Sequence, residues 1–255
     1  MKKFFLLFAV ILITASCVEI KTTTTEEKRV TEERDIKGFK YIKVEGAPNV
    51  HYKQDTAWSV KVIAQKDVIK NVTTEVIDGR LIVSQSPQKS FLIKVGGNTI
   101  VDASSDVDVV VSSPDIIGIN MLGSGCFIAT GNINTDKLNI CLQGSGDIKC
   151  SDIICDTIHT QLKGSGDIVV SKVDAFSSDL SLLGSGDIKL TRHNVNTTKI
   201  NLKGSGDIVV NSNNCGSVDC VLNGSGDIRL AGDVKSLNRK TNGSGEISFT
   251  GEIKK

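Results

Sequence analysis

Asp147, Asp167, Asp187, Asp207 and Asp227 recur every 20 residues, each directly after a Gly-Ser-Gly triplet. A row of carboxylates at constant spacing is the pattern in this chain with the most chemistry in it. If the repeats stack at the ~4.8 Å spacing of neighbouring strands, each adjacent pair repels by roughly 0.9 kcal/mol even in water. Something must offset that repulsion. One solution is structural: each carboxylate accepts backbone N–H bonds, at its own corner or from the next repeat, and such charge-assisted bonds contribute roughly 1.5–3 kcal/mol. The other is functional: the row forms a ladder of cation sites, with carboxylates and Ser or Gly carbonyl oxygens as hard ligands suited to calcium. The calcium-binding β-roll signature, GGxGxD at a period of about nine residues, does not occur here. Cys126 and Glu246 hold the equivalent positions at the two ends of the row.

Other chemistries find less support. The GSG triplets are not followed by the Lys-Ser/Thr that completes a phosphate-binding P-loop, and no one copy is distinguished from the rest. There is no G-x-S-x-G nucleophile elbow. His51, His159 and His193 are linked to no serine or acid by spacing, and read as solvated or ladder residues. Cysteines at 126, 141, 150, 155, 215 and 220 show no zinc spacing. Buried free thiols are expected there, with Cys215–Cys220 or Cys150–Cys155 as the better-placed bridges. The net charge of +1, with signs interspersed, gives no field to attract nucleic acid. Aromatic residues are only 4% of the chain, which leaves few platforms for a sugar-cleaving groove. The residues describe a non-catalytic protein without a required cofactor, calcium apart.

The elements that position the aspartates follow from the same period. GSG begins at Gly123, Gly144, Gly164, Gly184, Gly204, Gly224 and Gly243, with spacings of 21, 20, 20, 20, 20 and 19, and LKGSGDIVV occurs twice, at 162–170 and 202–210. Two residues before each GSG stand Met121, Leu142, Leu162, Leu182, Leu202, Leu222 and Thr241; four after its first Gly stand Phe127, Ile148, Ile168, Ile188, Ile208, Ile228 and Ile247. Apolar and polar positions alternate at period two, the strand signature. The glycines of the triplet mark the corner between two strands, where backbone angles barred to other residues are available.

A parallel solenoid with one coil per 20 residues and an antiparallel meander with one hairpin per 20 both fit this period. Charge columns favour the solenoid. Cations alternate between two positions flanking the corner, as Lys149, Lys163, Lys189, Lys203 and Arg229, so that neighbouring coils never repeat one in the same column. Five residues before GSG the series Asn139, His159, Asp179, Lys199, Asp219 alternates in sign. Both patterns make sense only where equivalent positions touch.

Upstream, Lys2 and Lys3, the apolar run Phe4–Ile13 and Thr14-Ala15-Ser16-Cys17 form a signal peptide over 1–16 with a lipobox-like end. Cys17 is the expected lipidation site. Residues 17–35 read as a Thr-, Glu- and Lys-rich tether, 36–118 as a β-strand block with turns at Gly46, Asp78-Gly79 and Gly96-Gly97, and 119–255 as the GSGD-repeat solenoid. The block is either further coils or a separate cap. The strand block from Phe39 to Val83 followed by serial GSGDI coils resembles the putative auto-transporter adhesin, head GIN domain family of bacterial lipoproteins, over roughly 36–251. The resemblance implies an all-β, right-handed parallel β-helix. It also implies an adhesin-like role in the cell envelope, as an outer-membrane lipoprotein facing the periplasm or the exterior. Expected partners are the membrane, through the lipid, and an envelope polysaccharide or surface protein; a carbohydrate-active or calcium-binding β-helix is the alternative.

Overall fold

The computed structural model describes residues 28–86, 92–95, 98–101 and 106–254. The signal peptide, Cys17 and the Gly96-Gly97 turn lie outside these. The protein is a parallel β-solenoid. From Gly118 onward every strand pairing is parallel and runs from coil to coil: β10 (Gly118–Gly123), β11 (Cys126–Asn134), β12 (Lys137–Gly144), β13 (Asp147–Gly164), β14 (Ile168–Gly184), β15 (Ile188–His193), β16 (Thr197–Gly204), β17 (Ile208–Gly224), β18 (Ile228–Gly243) and β19 (Ile247–Ile253).

Within one coil the alternation of buried and solvent-facing residues breaks at 151–152, at 156–157 and at the GSG corner, which divides the coil into three short sides. Inward residues align in columns. Ile148, Ile168, Ile188, Ile208 and Ile228 form one, and Leu142, Leu162, Leu182, Leu202 and Leu222 another, all fully buried. Each such side chain contributes roughly 1.5–3 kcal/mol on burial, but only if a neighbouring coil covers it, so the coils depend on one another. The charge columns are in register too: Lys149 pairs with Val169, Val169's coil-mate column continues to Lys189, and Lys199 lies between Asp179 and Asp219.

The upstream block supplies both coils and a cap. Residues Arg29–Arg34, expected within the tether, instead form β1, because their backbone pairs with β4; the block itself comprises β2 (Tyr41–Gly46), β3 (Asn49–Gln54), β4 (Ser59–Gln65), β5 (Val72–Ile77), β6 (Arg80–Gln85), the hairpin β7 (Leu92–Val95) and β8 (Asn98–Val101), and β9 (Asp108–Ser113). β2 and β3 stack in parallel beneath β10 and β11, and β6 and β9 stack in parallel beneath β2 and β3. Space and chain order therefore differ: β2 and β3 lie between β6 with β9 and β10 with β11. Beyond them β5 and β4 run antiparallel to β6 and β9, and β1 antiparallel to β4, which reverses strand direction at this end. Asp78 and Gly79, both at positive φ, make the two-residue hairpin between β5 and β6. Where Tyr52 fills the core of its coil, the residue stacked on it is the small Ala129, and the Tyr52 and Phe127 rings stack at 6.2 Å.

Candidate functional site: the corner ladder

The corners stack as a ladder of backbone. The carbonyl of each first glycine accepts two N–H bonds from the coil above, from its Ser and its second Gly: Ser165 and Gly166 donate to Gly144 O at 2.9 and 3.3 Å, and Ser185 and Gly186 to Gly164 O at 2.9 and 3.2 Å. So close an approach leaves no room for side chains. A Cβ at Gly164 would run into the Gly144 carbonyl, and one at Gly166 into that of Gly146. Gly164 is also at φ +146, a conformation side-chain-bearing residues rarely adopt. The corner glycines singled out by spacing, Gly144, Gly164, Gly184, Gly204 and Gly224, all sit in this column, each over the one before.

The corner leaves one N–H, that of the residue after GSG, and the aspartates meet it. Asp167 N donates to Asp147 Oδ1 at 3.2 Å, Asp187 N to Asp167 Oδ1 at 2.9 Å, Asp207 N to Asp187 Oδ1 at 3.0 Å and Asp227 N to Asp207 Oδ1 at 2.9 Å. Glu246 N closes the row on Asp227 Oδ1 at 3.0 Å. Each carboxylate thus takes the place of a missing backbone acceptor for the coil above it. Cys126 has no oxygen to offer, and there Asp147 N turns to the Gly125 carbonyl at 3.1 Å instead.

The ladder begins one rung earlier than the GSG count places it. Asn49 Oδ1 accepts from Cys126 N at 3.1 Å, and Gly46 lies under Gly123. Gly46-Ala47-Pro48-Asn49 is therefore a degenerate GSGD corner. The signal was present in the G-x-x-N spacing but separated from the others by 77 residues.

The outer carboxylate oxygens carry the charge balance. Lys149 Nζ lies 3.3 Å from Asp147 Oδ2, Lys189 Nζ 3.0 Å from Asp187 Oδ2, and Arg229 spans two rungs, at 2.7 Å from Asp207 Oδ2 and 2.9 Å from Asp227 Oδ2. The N–H of Asp227, and after it the guanidinium of Arg229, hold the Asp207 carboxyl below its usual range, against the upward pull of burial. Cations in every second coil thus pair with Asp147, Asp187, Asp207 and Asp227, four of the five aspartates. Among the described residues no three His, Cys, Asp or Glu side chains converge as a metal site would require.

The remaining candidates are dispersed. His51 Nε2 meets Asp108 Oδ1 at 3.3 Å beside Arg29, in the N-terminal coils, and His159 Nδ1 faces Asp179 Oδ2 at 3.5 Å on the solenoid flank. His193 stands at the end of β15, in register with Asp174 and Asn213. The six described cysteines are free thiols, and neither Cys215–Cys220 nor Cys150–Cys155 is bridged; burial pushes Cys150 up to about 12 and Cys155 up to about 11, so neither is an available nucleophile.

Three solved structures share this architecture. A putative adhesin from Bacteroides fragilis superposes with a TM-score of 0.76 at 23% identity, over 88% of this chain and 97% of that one. A putative lipid binding protein from Parabacteroides distasonis gives 0.67 at 23%, over 89% and 98%. A putative adhesin from Parabacteroides merdae gives 0.64 at 18%, over 88% and 97%. No curated protein matches the chain. The family model for the putative auto-transporter adhesin, head GIN domain matches residues 38–215 and 178–253, and the chain belongs to that family.

Proposed function

We propose that the protein is a non-catalytic interaction module of the bacterial cell envelope, tethered through a lipid on Cys17 and presenting its solenoid flank to an envelope polysaccharide or a surface protein. The observation that carries this reading is the uniformity of the coils. From Gly164 onward each corner repeats the same hydrogen bonds, and among the described residues no rung gathers a nucleophile, a base and an oxyanion site as a catalytic centre would. Family membership as an adhesin head domain and the leader-like first 16 residues support it. Asp207, held below its usual range by the Asp227 N–H and the Arg229 guanidinium, does not suit the protonated general acid that carbohydrate cleavage needs. A calcium ladder would compete with Lys149, Lys189 and Arg229 for the outer oxygens and with backbone N–H groups for the inner ones.

The test is binding of the purified chain to an array of envelope polysaccharides and cell-surface proteins, beside surface proteolysis of intact cells. Saturable retention on one class, lost on unfolding, is the expected result. Retention on none, or polysaccharide turnover abolished by Asp187→Asn, would remove the reading.

A further inference from the structure

Among the described residues Arg192 is the largest fully buried side chain, at 0% exposure in a mainly aliphatic stack. It belongs to β15, where a one-residue register shift between Val170 and Val173 turns it inward, over Val173 and under Ser212. Its guanidinium donates from Nη1 to Thr198 Oγ1 and from Nη2 to Ser212 Oγ at 2.6 Å, while Nε has no hydrogen-bond partner. Ser178, directly beneath Thr198, is also buried, and its hydroxyl is likewise without a partner.

A guanidinium stays protonated in proteins, and an uncompensated charge in an apolar core is among the costliest features a fold can carry. Among the described residues no carboxylate pairs with Arg192. The titratable groups that act on it are the thiols of Cys215 and Cys220. Neither suits the role of counter-ion. The Cys215 sulfur faces two carbonyl oxygens, of Asn213 at 3.6 Å and Arg192 at 3.9 Å, which hold it as a thiol donor and would repel a thiolate. Cys220 is pushed up to about 12 by burial. The cluster therefore combines one fixed positive charge with a surplus of donors: Nε–H, the O–H groups of Thr198 and Ser212, whose oxygens already accept from the guanidinium, and the unpartnered O–H of Ser178, one coil below Thr198.

We infer that Arg192, with the hydroxyls of Ser178, Thr198 and Ser212, binds a small monovalent anion of the halide class inside the solenoid. The anion supplies the missing negative charge and the acceptor that these donors lack. The site lies between coils at strand spacing, which favours a small spherical ion over a larger oxyanion.

Melting of the purified chain in sodium glutamate, replaced stepwise by chloride or bromide at constant ionic strength, tests the assignment. The wild-type melting temperature is expected to rise with halide by about 3 °C and to saturate, as ligand linkage requires. Arg192→Met should melt at one temperature in all three salts, and Ser212→Ala should need more halide for the same rise. Should Arg192→Met fail to fold, chloride-35 NMR line broadening by the native wild-type chain, absent from the unfolded chain, gives the same answer. Halide-independent melting of the wild type, or a halide response that survives in Arg192→Met, would overturn the site. So would halide-independent melting that drops in a Cys215→Ser/Cys220→Ser variant, which would make a thiolate the counter-charge.

Discussion

The two ends of the solenoid are closed by different means. At the N-terminal end the chain reverses direction: β4 and β5 pair antiparallel with β9 and β6, β1 pairs antiparallel with β4, and the side chains beneath them, Val60, Val62, Leu81 and Val83, are buried. At the C-terminal end strand direction never changes, and the residues change instead. The columns that hold Cys220 and Leu222 one coil earlier hold Arg239 and Thr241 in the last, and Arg239 Nη1 reaches across to the outward-facing carbonyl of Ile247 at 3.3 Å. An end built from reversed strands buries the core side chains of its last coil, although Ile77 on β5 stays exposed. An end built from substituted columns leaves Leu237 and Phe249 half-covered and Ile253 exposed, and relies on polar side chains to meet the unpaired edge.

This contrast ranks the response to substitution. Val62→Asp would bury an unpaired carboxylate in the sealed end and is expected to cost about 4 kcal/mol or to abolish folding, whereas Ile253→Asp at the open end should fall within about 0.5 kcal/mol. Urea midpoints of the two variants measure the difference, and similar midpoints would erase the distinction between the ends. Next in size is the ladder. Asp187→Ala orphans the N–H of Asp207 between two coils and should cost about 1–3 kcal/mol, while Glu246→Ala, whose carboxylate serves no coil above it, should change the midpoint by less than about 0.5 kcal/mol. Asp187→Asn keeps an acceptor oxygen and should fall between them. The smallest stability effect is expected for Arg239→Leu, within about 0.5 kcal/mol, but it bares the open end. Sedimentation should then reveal concentration-dependent self-association that Val62 variants able to fold do not show.

Much of the repeat region was legible because its information is columnar. Leu162 and Ile168 lie one turn from Leu182 and Ile188, and the alternating cations at 149, 163, 189, 203 and 229 make sense only for parallel stacking. The upstream strands were legible as strands but not in direction, since apolar alternation in Val60-Lys61-Val62 reads the same forwards and backwards. Nor does sequence order reveal that β2 and β3 are held between β6 with β9 and the first GSG coil. Asn49 escaped notice because Ala47 and Pro48 stand where Ser and Gly do elsewhere. Arg192 was hidden by the period itself. Counting by 20 sets it beside the exposed Lys172, and only the register shift after Val170 brings it inward over Val173.

Between β6 and β9 an insertion carries β7 and β8, which among the described residues pair with each other and with no coil, while its flanks stay in the stack, Ser86 N donating to Asn71 O at 3.0 Å and Asn49 N to Val107 O at 2.8 Å, and Asp108 stands in register under Asn49. The GSG corners, where backbone touches backbone, tolerate no comparable detour. The architecture therefore offers a natural graft point on an otherwise rigid rod. Foreign epitopes or reporter peptides spliced there should ride on the scaffold without disturbing its stacking, and relatives can diversify at that position while leaving the rest of the framework intact.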